Sequence, residues 1–528
     1  MDTASSPAST KSTPGFLGQL LSALFSHWFL LAASFLVLRA FKRRYFSPVS
    51  DVPAISFLAT ISRLGKVRDV LSGHIEQTQL EAHRKYGSIV RIGPNEVSIS
   101  DPAAIPIIYD KEQRFEKTDF YSIFGFPTPA HHNTFSETNP AEHRRLKRNV
   151  ASAYSMSTLV GFEQFVDSTV TLFLKRIREL SLSPSTPLEK RGEPVNMVKW
   201  FQWFAFDAIG EISFSRRFGF LDKKEDIGGT CKLLEFFIAY TSAVAMIPET
   251  HKWLLGNPIL PYIATPPASI IADMAKEEIE YREAHPESAH SDIVSKIMEN
   301  QARAGNEQFP QHEIFNHASV NVSAGSELSG IAVSAMLYQL VKHPAVYAKL
   351  EAEIDTAAAA GNLSDPPRYR ETNYDAMPYL AACIKESLRF HPAVGITLAR
   401  HVPKGGATIC GRFFPGGTRV GISPYVVGRD RKLYGEDANV FRPERWLECS
   451  KEKCIEMENG SLGFSQGARV CIGRHIALME ICKVFPALMR HFRFELARPE
   501  KVFRIKNYTF MKPEAVEVWI FRRNWGGG

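Results

Sequence analysis

The hydrophobic pattern along the chain predicts a mainly helical protein with small β-sheets. Apolar residues recur at helical spacing over residues 312–342 and 379–390, and a third helix-like segment covers residues 474–491. Shorter pieces with turn glycines, at residues 88–100 and 407–423, predict strands. The alanine-rich run 357–361 is expected to form a loop between helices. No internal repeat divides the chain.

The N-terminal region contains a nearly continuous apolar run over residues 16–38. A helix of this length would reach about 34 Å, which predicts a transmembrane helix. Basic residues follow the run, so the positive-inside rule predicts a cytosolic C-terminal part. A cleaved signal peptide is the alternative, but its positive charges would precede the apolar core. We therefore expect a disordered tail at 1–15, this helix, a basic and proline-containing linker at 39–53, and one catalytic domain at 54–528.

Composition and charge argue against nucleic acid as a partner but distinguish few other classes of function. The chain is 45% hydrophobic and 23% charged, as is ordinary for a globular protein. Its formal net charge of +7 is too small and too dispersed to favour nucleic acid as a partner. It is compatible with a basic docking face for an acidic protein, or with membrane lipid nearby. The cysteines form no C-x-x-C pair, so a disulfide framework is not expected and a reducing compartment fits better.

A glycine-rich loop directly before the third helix contains Cys471. A helix N-terminus favours an anionic sulfur, which suits a thiolate that binds a metal. Gly467 and Gly473 are expected to let the backbone turn tightly and approach a flat ligand. Phe464 is expected to pack beneath the loop, and Arg469 to reach an anionic group at the edge of the ligand. The alternative is a cysteine that only fills space in the core.

This loop resembles the haem-binding signature F-x-x-G-x-R-x-C-x-G of the cytochrome P450 family, position for position. The resemblance extends over nearly the whole chain from the apolar run to the C-terminus. It implies the cytochrome P450 fold and haem b as cofactor. Cys471 is then the axial ligand of the iron, and its thiolate donates electron density that favours O–O cleavage.

Two further motifs resemble the Glu-Arg-Arg triad of the family. Glu386 and Arg389 lie three residues apart and share one helix face, and Arg445 belongs to a Phe-x-Pro-Glu-Arg-Trp sequence. The resemblance implies a buried charged network that supports the cysteine loop. Such a network determines geometry more than it adds stability. Loss of haem is the expected result of removing one member.

Four positions resemble the residues that bind the haem propionates. His143 and Lys147 stand where the family has W-x-x-x-R, although lysine is a point charge and arginine a bidentate donor. Arg148 could replace Lys147, and a solvated basic helix face is the alternative interpretation. Arg400 resembles another propionate arginine, and Arg469 would complete the set.

The distal-helix motif A-G-x-[DE]-T-[TS] of the family is recognisable but altered. Gly325 is expected to make room for dioxygen and Glu327 to relay protons. Leu328 replaces the usual threonine and cannot form a hydrogen bond. Ser329, Ser326 or an ordered water could take over the relay, or the hydroxyl of the substrate could serve. The third explanation is an enzyme that needs no oxygen activation.

The resemblance implies a monooxygenase that inserts one atom of O2 into a hydrophobic small molecule. It is closest to membrane-bound fungal cytochromes P450 of secondary metabolism, which act on terpenoids, polyketides or alkaloids. The chain has no G-x-G-x-x-G fingerprint, so electrons are expected from an NADPH-cytochrome P450 reductase. The expected location is the endoplasmic reticulum membrane, single-pass, with a cytosolic catalytic domain. The alternatives are an oxygen-independent isomerase or dehydratase and a non-catalytic haem sensor.

Expected contacts with the substrate and the reductase come from the same resemblance. The substrate pocket is expected to draw on residues 120–126, 236–237, the turn before Glu327, 394–397 and 508–510. Most of these residues are apolar, which suits a hydrophobic substrate, although core packing explains them equally well. The basic residues expected on the docking face for the reductase are Arg144, Arg145, Arg148 and Lys483.

Overall fold

The computed structural model describes residues 16–125, 132–257, 269–285 and 291–523. Helices dominate this part of the chain, as predicted. The helices of eight residues or more are α1 Phe16–Tyr45, α2 Leu64–Leu71, α3 Ile75–Tyr86, α4 Pro140–Val150, α5 Glu163–Leu180, α6 Met197–Phe214, α7 Thr230–Ala245, α8 Ser269–Ala284, α9 Ile293–Ala304, α10 Gln311–Lys342, α11 Pro344–Ala359, α12 Pro378–Phe390, α13 Lys451–Asn459 and α14 Arg474–His491. Shorter α-helices are Phe57–Ile61, Ile105–Ile108, Met156–Gly161, Phe220–Lys223, Tyr369–Thr372, Pro424–Val427, Arg431–Tyr434 and Arg445–Glu448.

The strands form four small sheets. They are β1 Ile89–Gly93, β2 Glu96–Ile99, β3 Glu116–Lys117, β4 Val195–Asn196, β5 Arg400–His401, β6 Ala407–Ile409, β7 Arg412–Phe414, β8 Arg419–Gly421, β9 Phe492–Leu496, β10 Ile505–Asn507, β11 Met511–Pro513 and β12 Glu517–Arg522. The largest sheet has the order β1-β2-β8-β5-β3, in which only β2 and β8 are parallel. The others are β4-β12-β9 and the hairpins β6-β7 and β10-β11.

The long helix α10 packs along α6 through the centre of the molecule. Its bounds agree with the predicted segment 312–342 to within one residue. Buried residues occupy most of its circumference from Ser326 to Leu340, because neighbouring elements surround it on several sides. Nearly all of α6 is buried as well. This helix pair forms one wall of the cavity described below.

The predicted loop at 357–361 is wrong over most of its length. Helix α11 continues through Ala359, and the chain turns only at Ala360 and Gly361. Alanine has the highest helix propensity of all residues, so a run of alanines extends the helix. Gly361 ends it with a φ of +72°, which glycine adopts readily.

The predicted transmembrane helix at residues 16–38 is not supported. The segment is helical as part of α1. Across the residues that the structure describes, however, no helix combines the length and the apolar character needed to cross a membrane.

The segment expected to be a linker packs against the globular part of the chain at its C-terminal end. Val49 and Val52 are buried in the core that the large sheet covers. Ser47 donates from Oγ to the carbonyl of Pro94 at 2.7 Å, and Arg412 pairs with Asp51 at 2.7 Å. These contacts attach the segment to the sheet.

One cysteine pair forms a disulfide, although the sequence indicated no disulfide framework. Cys449 and Cys454 form a disulfide between the short helix Arg445–Glu448 and the first turn of α13, with a Cα–Cα distance of 5.8 Å. The bridge is local and is not a framework. The turn between two helices brings the two sulfurs together, which their spacing in the sequence does not show.

Candidate active site

A cavity of about 420 Å³ lies between the Cys471 loop and α10. Its walls are mainly apolar, as is usual for sites that bind hydrophobic small molecules. Leu328 lines the side formed by α10, and Cys471 lines the opposite side. Seven phenylalanines contribute to the lining: Phe120, Phe124, Phe135, Phe237, Phe315, Phe464 and Phe510.

Cys471 faces this cavity at the start of α14. The loop closes through a hydrogen bond from the Cys471 amide to the carbonyl of Phe464 at 2.8 Å. The side chain is exposed to the cavity although protein surrounds it. Burial raises the pKa of the Cys471 thiol, while the backbone amides of Gly473 and Arg474 act in the opposite direction. The helix N-terminus therefore favours the thiolate as predicted, against the effect of burial.

The two loop glycines have different surroundings. Gly467 has a φ of +65°, and a Cβ there would lie 2.1 Å from the carbonyl oxygen of Tyr109. This glycine therefore allows the loop to lie against residues 109–110, and it does not line the cavity. At Gly473, which does line the cavity, a Cβ would meet nothing within 4 Å. Only Gly473 matches the predicted approach to a flat ligand.

The structure brings Glu386, Arg389 and Arg445 together in a fully buried network. Arg389 donates to both carboxylate oxygens of Glu386 at 2.6 and 2.8 Å, and Arg445 donates to one of them at 3.0 Å. The indole of Trp446 donates to Glu386 at 2.9 Å, and the amide of Arg442 donates at 2.8 Å. Five donors thus satisfy one buried carboxylate, which is the condition for a stable buried ion network.

The predicted propionate residues gather on one side of the cavity. Arg400, Lys147 and Arg469 all line it, as does His143. Lys147 donates to the carbonyl of Ala468 at 2.9 Å, which ties α4 to the cysteine loop. Arg148 is exposed and does not line the cavity. Lys147, and not Arg148, therefore occupies the position of the arginine in the W-x-x-x-R motif.

Lys117 is a further member of this group that sequence reasoning missed. It lies on β3 directly opposite Arg400 on β5, and both side chains are buried. Like charges that face each other across two strands destabilise a sheet unless an anion neutralises them. Burial and the neighbouring Arg400 and Arg469 hold the pKa of Lys117 well below its usual range. No local signal identifies Lys117, since its position depends on pairing with a strand nearly 300 residues away.

Lys117, Lys147, Arg400 and Arg469 form a cluster of cations at the edge of the cavity. In the described ranges none of the four forms an ion pair with a carboxylate. Their hydrogen bonds go instead to backbone carbonyls and to the hydroxyl of Tyr121. A ligand that carries carboxylates at its edge would neutralise them, and the two propionates of haem fit this requirement.

His143 is buried beside these cations and uncharged. Burial and the nearby Arg469 and Lys117 lower the pKa of its imidazole to about 2. Its Nδ1 atom has no hydrogen-bond partner in the described part of the chain. A neutral ring with an unpaired nitrogen fits contact with an added ligand better than a solvated basic helix face.

On the distal side, α10 directs Glu327 away from the cavity. Its carboxylate accepts a hydrogen bond from Gln202 on α6 and pairs with Lys512 on β11 at 3.2 Å. Burial raises the pKa of Glu327, and Lys512 opposes this shift. Leu328 and Ser329 line the cavity, whereas Glu327 does not. Successive residues point in directions about 100° apart around a helix, so Glu327 and Leu328 face different neighbours.

Gly325 and Ser326, the other two residues predicted to act on the distal side, contact neighbouring parts of the protein. A Cβ on Gly325 would lie 2.8 Å from Cγ1 of Ile209, so this glycine allows α10 and α6 to approach closely. Gly325 also lines the cavity, and Ile209 lines it beside this glycine. Ser326 donates to the carbonyl of Val322 at 2.6 Å and does not line the cavity. The suggestion that Ser326 relays protons into the cavity is therefore wrong.

The predicted substrate contacts are partly correct. Those that line the cavity are Phe120, Tyr121, Phe124, Phe237, Ser323, Ala324, Gly325, Val394, Ile396, Thr509 and Phe510. Phe236 is instead 56% exposed on the surface, and Phe126 lies outside the described residues. Among the basic residues expected to dock the reductase, Lys483 is fully buried and pairs with Asp167 at 2.7 Å. It cannot belong to a docking face.

Comparison with known proteins is consistent with this site. The family model described as Cytochrome P450 matches residues 56–518. The chain is 40% identical over 449 residues to a cytochrome P450 monooxygenase of Aspergillus terreus, covering 83% of this chain and 88% of the relative. It is 36% identical to cytochrome P450 monooxygenase cicH of Emericella nidulans, covering 90% and 94% of the two chains. A pisatin demethylase of Fusarium vanettenii is 33% identical, with 89% and 90% covered. The chain therefore belongs to the cytochrome P450 family of haem-thiolate monooxygenases.

Proposed function

We propose that this protein inserts one atom of O2 into a hydrophobic small molecule as a step of secondary metabolism. The observation that carries the proposal is the cavity, which has Cys471 on one side and aromatic walls around the remaining volume. The relatives from Aspergillus terreus and Emericella nidulans are named monooxygenases, which supports this reaction. One relative is named a demethylase, so removal of a methyl group is included among the reactions to test.

The residues of the chain have distinct duties in this reaction. Haem, when bound, would supply the chemistry that activates O2, and the sulfur of Cys471 would bind its iron. Lys117, Arg400 and Arg469 would hold its carboxylates at the cavity edge. The phenylalanine side chains orient a hydrophobic substrate and exclude water. The Glu386 network keeps the segment before the cysteine loop in place.

We further propose that a separate NADPH-cytochrome P450 reductase supplies the electrons. Arg144 and Arg148 are exposed on α4, the helix whose Lys147 contacts the cysteine loop. They lie four residues apart and share one helix face, which suits an acidic partner. The endoplasmic reticulum as location stays a prediction, which imaging of the fluorescently tagged full chain would test.

A second function, isomerisation of a peroxide without O2, is favoured by one observation. Leu328 presents a hydrocarbon side chain to the cavity at the position of the usual threonine, and Glu327 is turned away. Such an enzyme would convert a hydroperoxide with no reductase present. A monooxygenase would form product only with NADPH, reductase and O2.

The first experiment is the carbon monoxide difference spectrum of the dithionite-reduced protein. The proposal expects the red-shifted Soret band of a thiolate complex, and Cys471→Ala should abolish this band. Cys482→Ala, which removes another buried cysteine on α14, is the matched control and should keep it. A folded wild-type protein without the band would contradict the proposal.

The second experiment screens substrates with NADPH and reductase under labelled oxygen. Incorporation of one labelled atom into a product would support monooxygenation. Leu328→Thr restores the hydroxyl at the altered position and is expected to increase the share of NADPH electrons recovered in product. Turnover of a hydroperoxide by the wild type in the absence of reductase and O2 would favour isomerisation instead.

A further inference from the structure

Glu76 and Asn507 form a buried hydrogen-bonded pair next to a segment that lines the cavity. Glu76 lies in the first turn of α3, Asn507 ends β10, and both residues are fully buried. The amide nitrogen Nδ2 of Asn507 donates to Oε2 of Glu76 at 2.7 Å. A Cβ on Gly395 would overlap this amide, so the Asn507 side chain packs tightly against the segment that contributes Val394 and Ile396 to the cavity wall.

The hydrogen bonds of this pair are incomplete as long as Glu76 is a carboxylate. Oε1 of Glu76 and Oδ1 of Asn507 have no hydrogen-bond donor among the residues that the structure describes. A carboxylate oxygen and an amide oxygen are both acceptors, so the two atoms cannot satisfy each other. Burying an unpaired polar atom is costly, and a proton on the carboxyl group would supply the missing donor.

We propose that Glu76 is a neutral carboxylic acid whose O–H group donates to Oδ1 of Asn507, and that this pair positions the turn 508–510 at the cavity. The acid and the amide then each donate once and accept once. This inference rests on the proposed function, and it makes Glu76 and Asn507 positioning residues of the substrate site.

The turn between β10 and β11 carries two residues of the cavity wall, Thr509 and Phe510. Backbone hydrogen bonds hold both ends of this turn. The amide of Asn507 donates to the carbonyl of Gly73 at 2.8 Å, and the carbonyl of Thr509 accepts from the amide of Gly395 at 3.0 Å. These backbone groups do not titrate, whereas the carboxyl group of the side-chain pair does. A change of pH therefore acts on the turn through this carboxyl group.

The charged neighbours of Glu76 are His74, directly before α3, and Arg429, which follows the helix Pro424–Val427. Burial raises the pKa of Glu76, while the Asn507 amide, the backbone amide of Glu76, His74 and Arg429 act in the opposite direction. Burial is the larger effect, which favours the protonated acid. Basic side chains of α3 and of the elements around it that have partners elsewhere are Lys66 with Glu96, Arg68 with Asp69, Arg84 with Asn439, Arg91 with backbone carbonyls and Lys506 with Glu514.

Azole binding to the haem-loaded protein, followed by the shift of the Soret band, tests the positioning role. Clotrimazole, a bulky aromatic imidazole that must fill the cavity, is compared with imidazole, which needs only the iron. Asn507→Leu should raise the Kd for clotrimazole about three- to tenfold, as the loss of a hydrogen bond predicts, and leave the Kd for imidazole unchanged. Asn362→Leu, at an exposed position outside the cavity, is the matched control. Equal clotrimazole affinity in Asn507→Leu and in the control overturns the inference.

The pH profile of Glu76→Gln tests the protonation, because the substituted amide keeps one donor and one acceptor toward Asn507 but does not titrate. At about pH 5 the variant should bind clotrimazole as the wild type does. As pH rises through the pKa of Glu76, the wild type loses its proton and two acceptors face each other. The wild-type Kd should therefore rise relative to that of the variant up to about pH 9, and amide hydrogen exchange of residues 505–511 should become faster in the wild type than in the variant.

A ratio of the two Kd values that stays constant over this pH range overturns the inference. The comparison needs only the wild type and Glu76→Gln, so it decides the matter even where Asn507→Leu does not fold. A wild type whose Soret band does not respond to imidazole overturns the proposed function instead.

Discussion

Lys117 and Arg400 face each other across two antiparallel strands, and both are buried without a carboxylate partner in the described structure. Charged groups in low dielectric require an opposite charge close by. At the scale of single residues, the cation cluster therefore indicates a dianionic ligand more directly than any one side chain does. Because each cation can be replaced singly, its contribution to the binding of this ligand can be measured.

Lys117→Met is expected to weaken haem binding. Removing one charged hydrogen bond to a propionate should cost about 1.5–3 kcal/mol of binding free energy, whereas Lys117→Arg should retain most of it. Lys111→Met, an exposed lysine shortly before β3, is the control. The rate of haem transfer to an acceptor globin measures the effect. Equal transfer rates in Lys117→Met and in the control would contradict the assignment.

Glu480 should give the stability of the protein a distinct pH dependence. Its pKa rises from 4.5 in the unfolded chain to about 8 in the fold, so between these values the folded state holds a proton that the unfolded state has released. The contribution to the free energy of unfolding therefore falls as pH rises, by at most about 1.4 kcal/mol per pH unit. Relative to the wild type, Glu480→Gln should become more stable from pH 4.5 to about 8 and level off above it. Urea unfolding at several pH values checks this, and a difference that shrinks with pH would contradict it.

At the scale of elements, the contact between α6 and α10 depends on a glycine. Because a Cβ on Gly325 would overlap Ile209, Gly325→Ala should force the helices apart and destabilise the fold by about 1–3 kcal/mol. Ile209→Ala leaves a cavity and should also destabilise when introduced alone. The double variant should lose less free energy of unfolding than the sum of the losses in the two single variants. Urea denaturation of the four proteins measures this coupling, and simple additivity would contradict the proposed overlap.

The network around Glu386 connects α12 with the helix Arg445–Glu448. Glu386→Gln should destabilise the fold by about 3–5 kcal/mol, because Arg389 would be left as a buried charge without a carboxylate and Arg445 would keep only its pair with Asp437. Glu458→Gln breaks a surface pair with Lys385 and should cost no more than about 1 kcal/mol. The yield of haem-loaded protein and urea unfolding provide the measurements. Equal losses in the two variants would show that the network does not have this role.

At the scale of the whole molecule, the exposed face of α4, whose Lys147 contacts the cysteine loop, is the proposed docking site of the reductase. The double substitution Arg144→Glu and Arg148→Glu should raise the KM for the reductase, and added salt should reduce the difference because it screens exposed charges. Reduction by dithionite should remain normal. Arg498→Glu, which reverses one charge elsewhere on the surface, is the control. A KM unaffected by the double substitution would place the docking site on another face.

The parts of the fold that depend on local patterns were predictable. The helices at 312–342, 379–390 and 474–491 agree with α10, α12 and α14 within about one residue, because hydrophobic periodicity is a local property. The loop around Cys471 and the shared face of Glu386 and Arg389 were likewise visible in short motifs. The errors lie where a pattern is ambiguous, as in the alanine run that extended a helix and the apolar N-terminal run.

By itself, the amino-acid sequence determined the haem-thiolate loop, the principal helices and the residue types available at each position of the site. Only the tertiary structure decided which of these residues face the cavity. It places Lys117 opposite Arg400, turns Glu327 toward Lys512 and buries the Glu480 side chain. The physical reason is that the orientation of a side chain on a helix or strand has meaning only relative to the elements packed against it, and those elements come from distant parts of the chain.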